Sequence, residues 1–273
     1  MKANILNLEG KKVKQIDLPI QFNEEIRTDL IRRAFLSFRA NTMQQYGAKP
    51  EAGKRVSAKV SRRRRDYRGS YGHGISRVPR KVLSVRGTQF YWVGALAPGT
   101  VKGRRAHPPK SEQDRSKKIN IKERRKAIRA AISATINNEF VKNRGHLFTE
   151  IPLIVEDKFE DISKTSDLVK VFEILGLNKE IERVNKKKIK AGKGKRRNRK
   201  YKIKKGPLVI VSDDCKLINA AKNIIGLDIA KVNSLNVDLL APGSYPGRLC
   251  IWSSKAIEKL DKEKLYYDKN ESI

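Results

Sequence analysis

Apolar and polar positions change period several times along the 273-residue chain, and each change predicts an element. Residues 3–18 alternate in two short runs around Glu9-Gly10, the pattern of a small hairpin ending at Leu18-Pro19. Over residues 24–43, Ile26, Leu30, Ile31, Ala34, Phe35 and Phe38 recur at helical spacing while Arg27, Arg32, Arg33 and Arg39 take other faces. This predicts a helix with Asn23 as N-cap. After Tyr46-Gly47 the periodicity stops until Asn120, over a stretch rich in Gly, Pro, Arg and Ser that has too few large aliphatics to bury a core of its own.

From Asn120, the capping-box spacing to Glu123 and the stripe Ile121, Ile128, Ile132 and Ile136 predict a helix ending before Gly145. A β-branched run at 151–155 and a helix over 166–175 closed by Gly176 form a β-α pair. Beyond a second basic stretch come Leu208-Val209-Ile210-Val211, a helix over 214–225, the runs 229–232 and 249–252, and a last short helix. Short apolar runs alternating with helices imply an α/β fold with a mostly parallel sheet.

Charge divides this fold further. Lys and Arg number 62 against 29 Asp and Glu, a net charge of +33, and a chain so charged repels itself unless a polyanion neutralises it. Residues 45–118 and 185–206 together carry +29 of that charge; the remainder has the near balance of an ordinary soluble domain. The organisation expected is therefore one discontinuous α/β domain, residues 1–44 and 119–273. A long basic loop, 45–118, is inserted in it, with a shorter basic insertion at 185–206.

Nucleic acid is the default partner for such segments. No signal-peptide core, membrane span, basic amphipathic helix or lipidation site is evident, so a cytosolic protein without a membrane partner is expected. Cys215 and Cys250 lie far apart in apolar segments, which suits reduced thiols. His73, His107 and His146 lack metal-ligand spacing, so neither metal nor cofactor is expected.

The candidate RNA-binding residues of the long loop begin with Arg62, Arg63, Arg64, Arg65, Tyr67 and Arg68, followed by His73, Arg77, Arg80, Lys81 and Arg86. Arginine offers a planar fork matched to phosphate oxygens, and tyrosine or arginine planes stack on unpaired bases. Gly69, Gly72 and Gly74 would let backbone approach RNA closely, but with no strand before and no helix after them they do not form a nucleotide-binding loop. The run Phe90-Tyr91-Trp92-Val93 would either stack on bases or pack back on the globule, and Lys102, Arg104, Arg105 and His107 close the loop. In the shorter insertion the candidates are Lys193, Lys195, Arg196, Arg197, Arg199, Lys200 and Tyr201.

The best enzymatic alternative is the pair Asp213 and Asp214, which follows an expected parallel strand, where ligands bind in α/β folds. Helix capping by Ser212 or Asp213 accounts for it equally simply, and no third metal ligand is evident. The expectation is no catalysis and no small-molecule substrate. An RNA-modifying or cleaving enzyme, a ribosome assembly factor and a DNA-compacting protein are the rivals.

Five segments resemble the archaeal and eukaryotic branch of the large-subunit ribosomal protein four family. They are Leu18-Pro19 through Leu30-Ile31, Lys102 through Lys110, and Lys122-Glu123-Arg124 with Ala127 to Ala131. Ile189 to Gly192 with Arg199-Lys200-Tyr201, and Leu240 to Leu249, complete the set, in family order. The chain departs from the pattern at Arg62 to Arg68 and at Phe90 to Val93. The resemblance implies a single Rossmann-like three-layer domain on the surface of the large ribosomal subunit, without catalysis. It implies large-subunit rRNA and neighbouring large-subunit ribosomal proteins as partners, and a long loop directed toward the polypeptide exit tunnel, with the nascent peptide near its tip.

Overall fold

A computed structural model describes residues 1–267. The chain opens with strands β1 (Lys2–Leu6) and β2 (Lys12–Asp17), helix α1 (Thr28–Asn41) and strands β3 (Arg80–Arg86) and β4 (Gln89–Gly94). Helices α2 (Ile121–Ser133) and α3 (Asn138–Asn143), strand β5 (Leu153–Val155) and helices α4 (Thr165–Ile174) and α5 (Asn178–Asn185) follow. Then come β6 (Lys188–Ile189), β7 (Tyr201–Lys202), β8 (Leu208–Val211), α6 (Leu217–Ala221) and β9 (Asp228–Lys231). Helix α7 (Val237–Leu240), strand β10 (Cys250–Ser253) and helix α8 (Ser254–Lys262) end the series. Two compact units result: Met1–Thr42 with Ser116–Ile273, and Met43–Arg115.

The first unit is mixed α/β around a six-stranded sheet of order β2-β1-β5-β10-β8-β9, parallel throughout except for the edge strand β2. All four residues of β8 and of β10 are buried, as strands covered on both faces require. Successive residues serve opposite cores. Ile5, Ile154, Leu208, Ile210 and Trp252 join Ile31 of α1, Ile132 of α2, Leu240 of α7 and Ile257 of α8. Leu153, Val155, Val209, Val211 and Ile251 join Leu168 and Phe172 of α4 and Leu217 of α6.

The opening hairpin, the α4 helix and the strand at 208–211 fall where periodicity predicts them. Gly176, at φ +72°, closes α4, its N–H donating to the Glu173 carbonyl (3.0 Å) and the Leu177 N–H to that of Phe172 (2.9 Å).

Three expected helices are shorter. Helix α1 starts at Thr28, with Arg27 and not Asn23 at its cap. Asn23 belongs to a 3₁₀ turn, Ile20–Asn23, that buries Phe22 edge-on against Trp252 (5.2 Å between centroids). The extended backbone of Glu24 then brings its carboxylate to the buried Arg129 (2.7 Å). Asn120 does precede α2, but its side chain makes no cap bond, and Glu123 pairs instead with Arg33 (3.0 Å). The helix stops at Ser133, and Asn137 caps a new one, α3, by accepting from the Glu139 N–H (2.9 Å). The 214–225 helix contracts to α6, because the chain must turn back at Gly226 (φ +72°), which passes within hydrogen-bonding distance of Gly206 (2.9 Å).

The second unit departs most from expectation. Where no periodicity is legible, β3 and β4 pair antiparallel with a bulge between Val82 and Ser84 and a turn at Gly87. Only Ala95 and Ser70 are buried in this unit, so its order does not come from an aliphatic core.

Candidate nucleic-acid interface

Rings and guanidinium groups hold the Met43–Arg115 unit together. Phe90 and Trp92 alternate onto one face of β4 and stack at 5.3 Å, and Tyr67 meets Phe90 edge-on at 5.2 Å. Arg68 lies 5.5 Å from both Tyr67 and Phe90, and Arg80 lies 5.8 Å from Trp92. Arg64 and Arg77 sit on Tyr71 at 4.8 and 5.0 Å, with Arg64 also donating to its hydroxyl (2.8 Å), and Arg115 lies 3.9 Å from Tyr46. Each such contact contributes about 0.5–1 kcal/mol at an exposed site, and leaves the cation charged. The aromatic run thus packs on its own segment. Tyr91 and Val93, on the other face of β4, are exposed.

The structure keeps most of the sequence-predicted cations of this unit in solvent. Arg62, Arg63, Arg64, Arg65, Arg68, Arg77, Arg86, Lys102 and Arg105 are exposed, as are Tyr67, His73 and His107, whereas Arg80, Lys81 and Arg104 are half-buried. None of these cations forms an ion pair among the described residues. Arg65, Arg68 and Lys102 have left-handed backbones (φ +54° to +61°), a cost that ordinary residues accept only where the surroundings hold them. Gly53 is required for a different reason: a Cβ there would come within 2.6 Å of the backbone at Gly103 and Arg104.

The shorter basic segment is a two-stranded ribbon, Lys188 opposite Lys202 and Ile189 opposite Tyr201, around a 3₁₀ turn at Lys193–Arg197. Gly192 (φ +82°) and Asn198 (φ +58°) flank that turn, and the Arg199 N–H donates back to the Gly194 carbonyl (3.0 Å). Lys193, Lys195, Arg196, Arg197, Arg199, Lys200 and Tyr201 are all exposed, and no carboxylate approaches these cations among the described residues. Lys200 lies 5.5 Å from the Tyr201 ring.

Beyond the carboxyl ends of the parallel strands lie Asp213 and Asp214, the best enzymatic alternative in the sequence. Asp213 pairs with Lys259 (2.5 Å) and Asp214 with Lys231 (2.6 Å), both exposed, and neither caps α6. A crevice beside them is lined by Asp214 and by Glu160, which the sequence did not single out. The Glu160 carboxylate accepts from the Ser212 N–H (2.8 Å), the Ser212 hydroxyl (2.8 Å) and the Ser253 hydroxyl (2.5 Å), all buried. These bonds keep the Ser212 N–H and both hydroxyls engaged within the protein.

Two other buried polar clusters went unread. Arg248, fully buried, donates to the carbonyls of Gly206 (2.9 Å), Leu239 (2.9 Å) and Pro207 (3.3 Å) and to Asp228 (2.6 Å). Glu180 binds Arg183 (2.6 Å), His146 (2.6 Å) and the Leu147 N–H (3.0 Å). Burial pushes the Glu180 carboxyl up, but these bonds outweigh it and hold the group at about 2. Among the described residues no cluster could hold a metal, and no helix is long and apolar enough to cross a membrane.

A mixed α/β unit carrying exposed cations that no acid neutralises among the described residues has the charge pattern of a polyanion-binding protein. Sequence comparison makes the assignment specific: residues 16–263 match the Ribosomal protein L4/L1 family, and the chain belongs to it. It is 50% identical to the large ribosomal subunit protein uL4 of Nanoarchaeum equitans, covering 98% of this chain and all of that one. It is 47% identical to the uL4 of Methanocaldococcus jannaschii, covering 95% and 98% of the two chains.

Proposed function

We propose that this protein is a structural constituent of the large ribosomal subunit in the cytoplasm, bound to large-subunit rRNA and to neighbouring ribosomal proteins, with no catalytic role. The carrying observation is the cation balance: the arginines of 62–68 and the lysines and arginines of 193–200 are exposed and unpaired with any acid among the described residues. Bound phosphates would neutralise them, with roughly 0.7–0.9 counterions released per contact. The sheet, covered on both faces, we read as a Rossmann-like three-layer domain. Residues 45–118 act as its long RNA-binding extension and 185–206 as its shorter one, the former reaching toward the polypeptide exit tunnel and the nascent peptide.

The test is sedimentation of a tagged copy from its own cells at moderate and high salt. Stoichiometric comigration with large subunits at both is expected; release by salt or migration as free protein would indicate an assembly factor or an enzyme. A variant with Lys195, Arg196, Arg197 and Arg199 all changed to Gln is expected to bind large-subunit rRNA more weakly and with a salt slope lower by about 3.

A further inference from the structure

A third positively charged site lies on the α/β unit and draws on neither basic segment of the sequence. The loop 241–249 carries two successive left-handed residues, Gly243 (φ +79°) and Ser244 (φ +71°), and then Tyr245, a residue 73% exposed. Gly247 (φ +88°) pins the loop to α3, since a Cβ there would meet the Phe140 backbone at 2.5 Å. Arg144, just beyond α3, clamps both ends of the turn, donating to the carbonyls of Pro242 (2.8 Å) and Tyr245. The turn leaves Tyr245 largely exposed, outside the hydrophobic core.

A cleft of about 970 Å³ opens beside this loop, its walls including Phe140, Tyr245, Arg144 and Arg32. Its one acid, Asp29, is already taken by Arg27 (2.6 Å). Arg32 is exposed, and neither it nor Arg144 forms an ion pair among the described residues. Burial, together with the like charges of Arg248 and Arg183, lowers Arg144 to about 10, the mark of a cation lacking an anion. The cleft therefore combines two aromatic walls with two uncompensated guanidinium groups, the chemistry that receives an unpaired nucleotide.

We infer that this cleft binds a single-stranded nucleotide of the large-subunit rRNA, its base stacked on Tyr245 and its phosphate held by Arg144 and Arg32. The inference rests on the proposed rRNA binding and adds a contact made by the globular unit itself. It also gives the strained loop a purpose that packing does not, because truncating an exposed phenol removes no core.

The experiment measures the affinity of the full chain for its own large-subunit rRNA, as a function of salt, for the native protein and three variants. Tyr245→Ala is expected to bind about tenfold more weakly with an unchanged salt slope, since a stacking neutral group releases no counterion. Tyr245→Phe is expected to bind as the native protein does. Arg32→Gln is expected to lower the slope by about 0.7. Equal melting temperatures establish that folding is intact. Native-like affinity of Tyr245→Ala overturns the inference while leaving the proposed function standing, and the same result with poorer incorporation into subunits assigns the cleft to a protein neighbour. Failure of the native chain to bind rRNA overturns both.

Discussion

The two tryptophans of this protein occupy opposite physical regimes. Trp252, 1% exposed in the centre of the sheet, touches Phe22 and sits among buried aliphatic side chains of four helices. Trp92, half-buried on β4, touches Phe90 and Arg80 and has solvent beside it. One unit coheres by removing apolar area from water; the other by stacking rings with guanidinium groups, which retain their charge. A chain can thus order a segment without neutralising it. An aliphatic core would replace charged side chains with neutral ones, whereas Arg64, Arg68, Arg77 and Arg80 pack on rings and keep their charge.

The largest expected effect separates the two regimes directly. Trp252→Ala should destabilise the α/β unit by about 3–5 kcal/mol in urea unfolding, the cost of a large cavity in a packed interior. Arg248→Ala should follow at about 3 kcal/mol, because it strands three carbonyls and the Asp228 carboxylate, although Lys205 (2.8 Å) still partners the latter. A loss below about 1 kcal/mol would mean that water replaces the guanidinium.

A pH titration sharpens the comparison, since Glu180 and His146 lie in the α/β unit. Both have lowered folded-state values: Glu180 at about 2 against 4.5, and His146 depressed below 6.5 chiefly by burial, against the opposing pull of Glu180. In each case the unfolded chain binds protons more readily, so stability is present above the unfolded value and is lost as pH falls. Urea midpoints should decline on acidification below pH 6.5 and again between about 4.5 and 2, and Glu180→Gln should lessen the second decline, to which Asp228, also lowered, contributes. A midpoint that rises on acidification would contradict the assigned network.

The smallest global effect belongs to the other regime. Trp92→Ala should shift the main unfolding transition by less than about 0.5 kcal/mol, while amide exchange in β3 and β4 accelerates and that in β8 and β10 stays unchanged. Loss of protection across the sheet would show that the two units unfold as one.

What the sequence by itself determined were the features written in local pattern. The alternation over 3–18 makes a hairpin, the run at 208–211 a doubly covered strand, and Gly176 the end of α4, because each depends on neighbours a few residues away. The concentration of charge in two segments is equally local, and five family-like segments sufficed to identify the family. The tertiary structure alone decided the rest. Helix α1 starts late because Glu24 finds Arg129, 105 residues on, and Arg248 is held by the carbonyls of Gly206, Pro207 and Leu239, which only the folded chain brings together. Ser212 and Ser253, parted by 41 positions, converge on Glu160 only because β8 and β10 are adjacent. The order of the arginine-rich segment was hidden for the same reason: its partners are rings brought within reach by a hairpin, as Tyr67 and Phe90 are, and such pairs leave no periodicity in the chain.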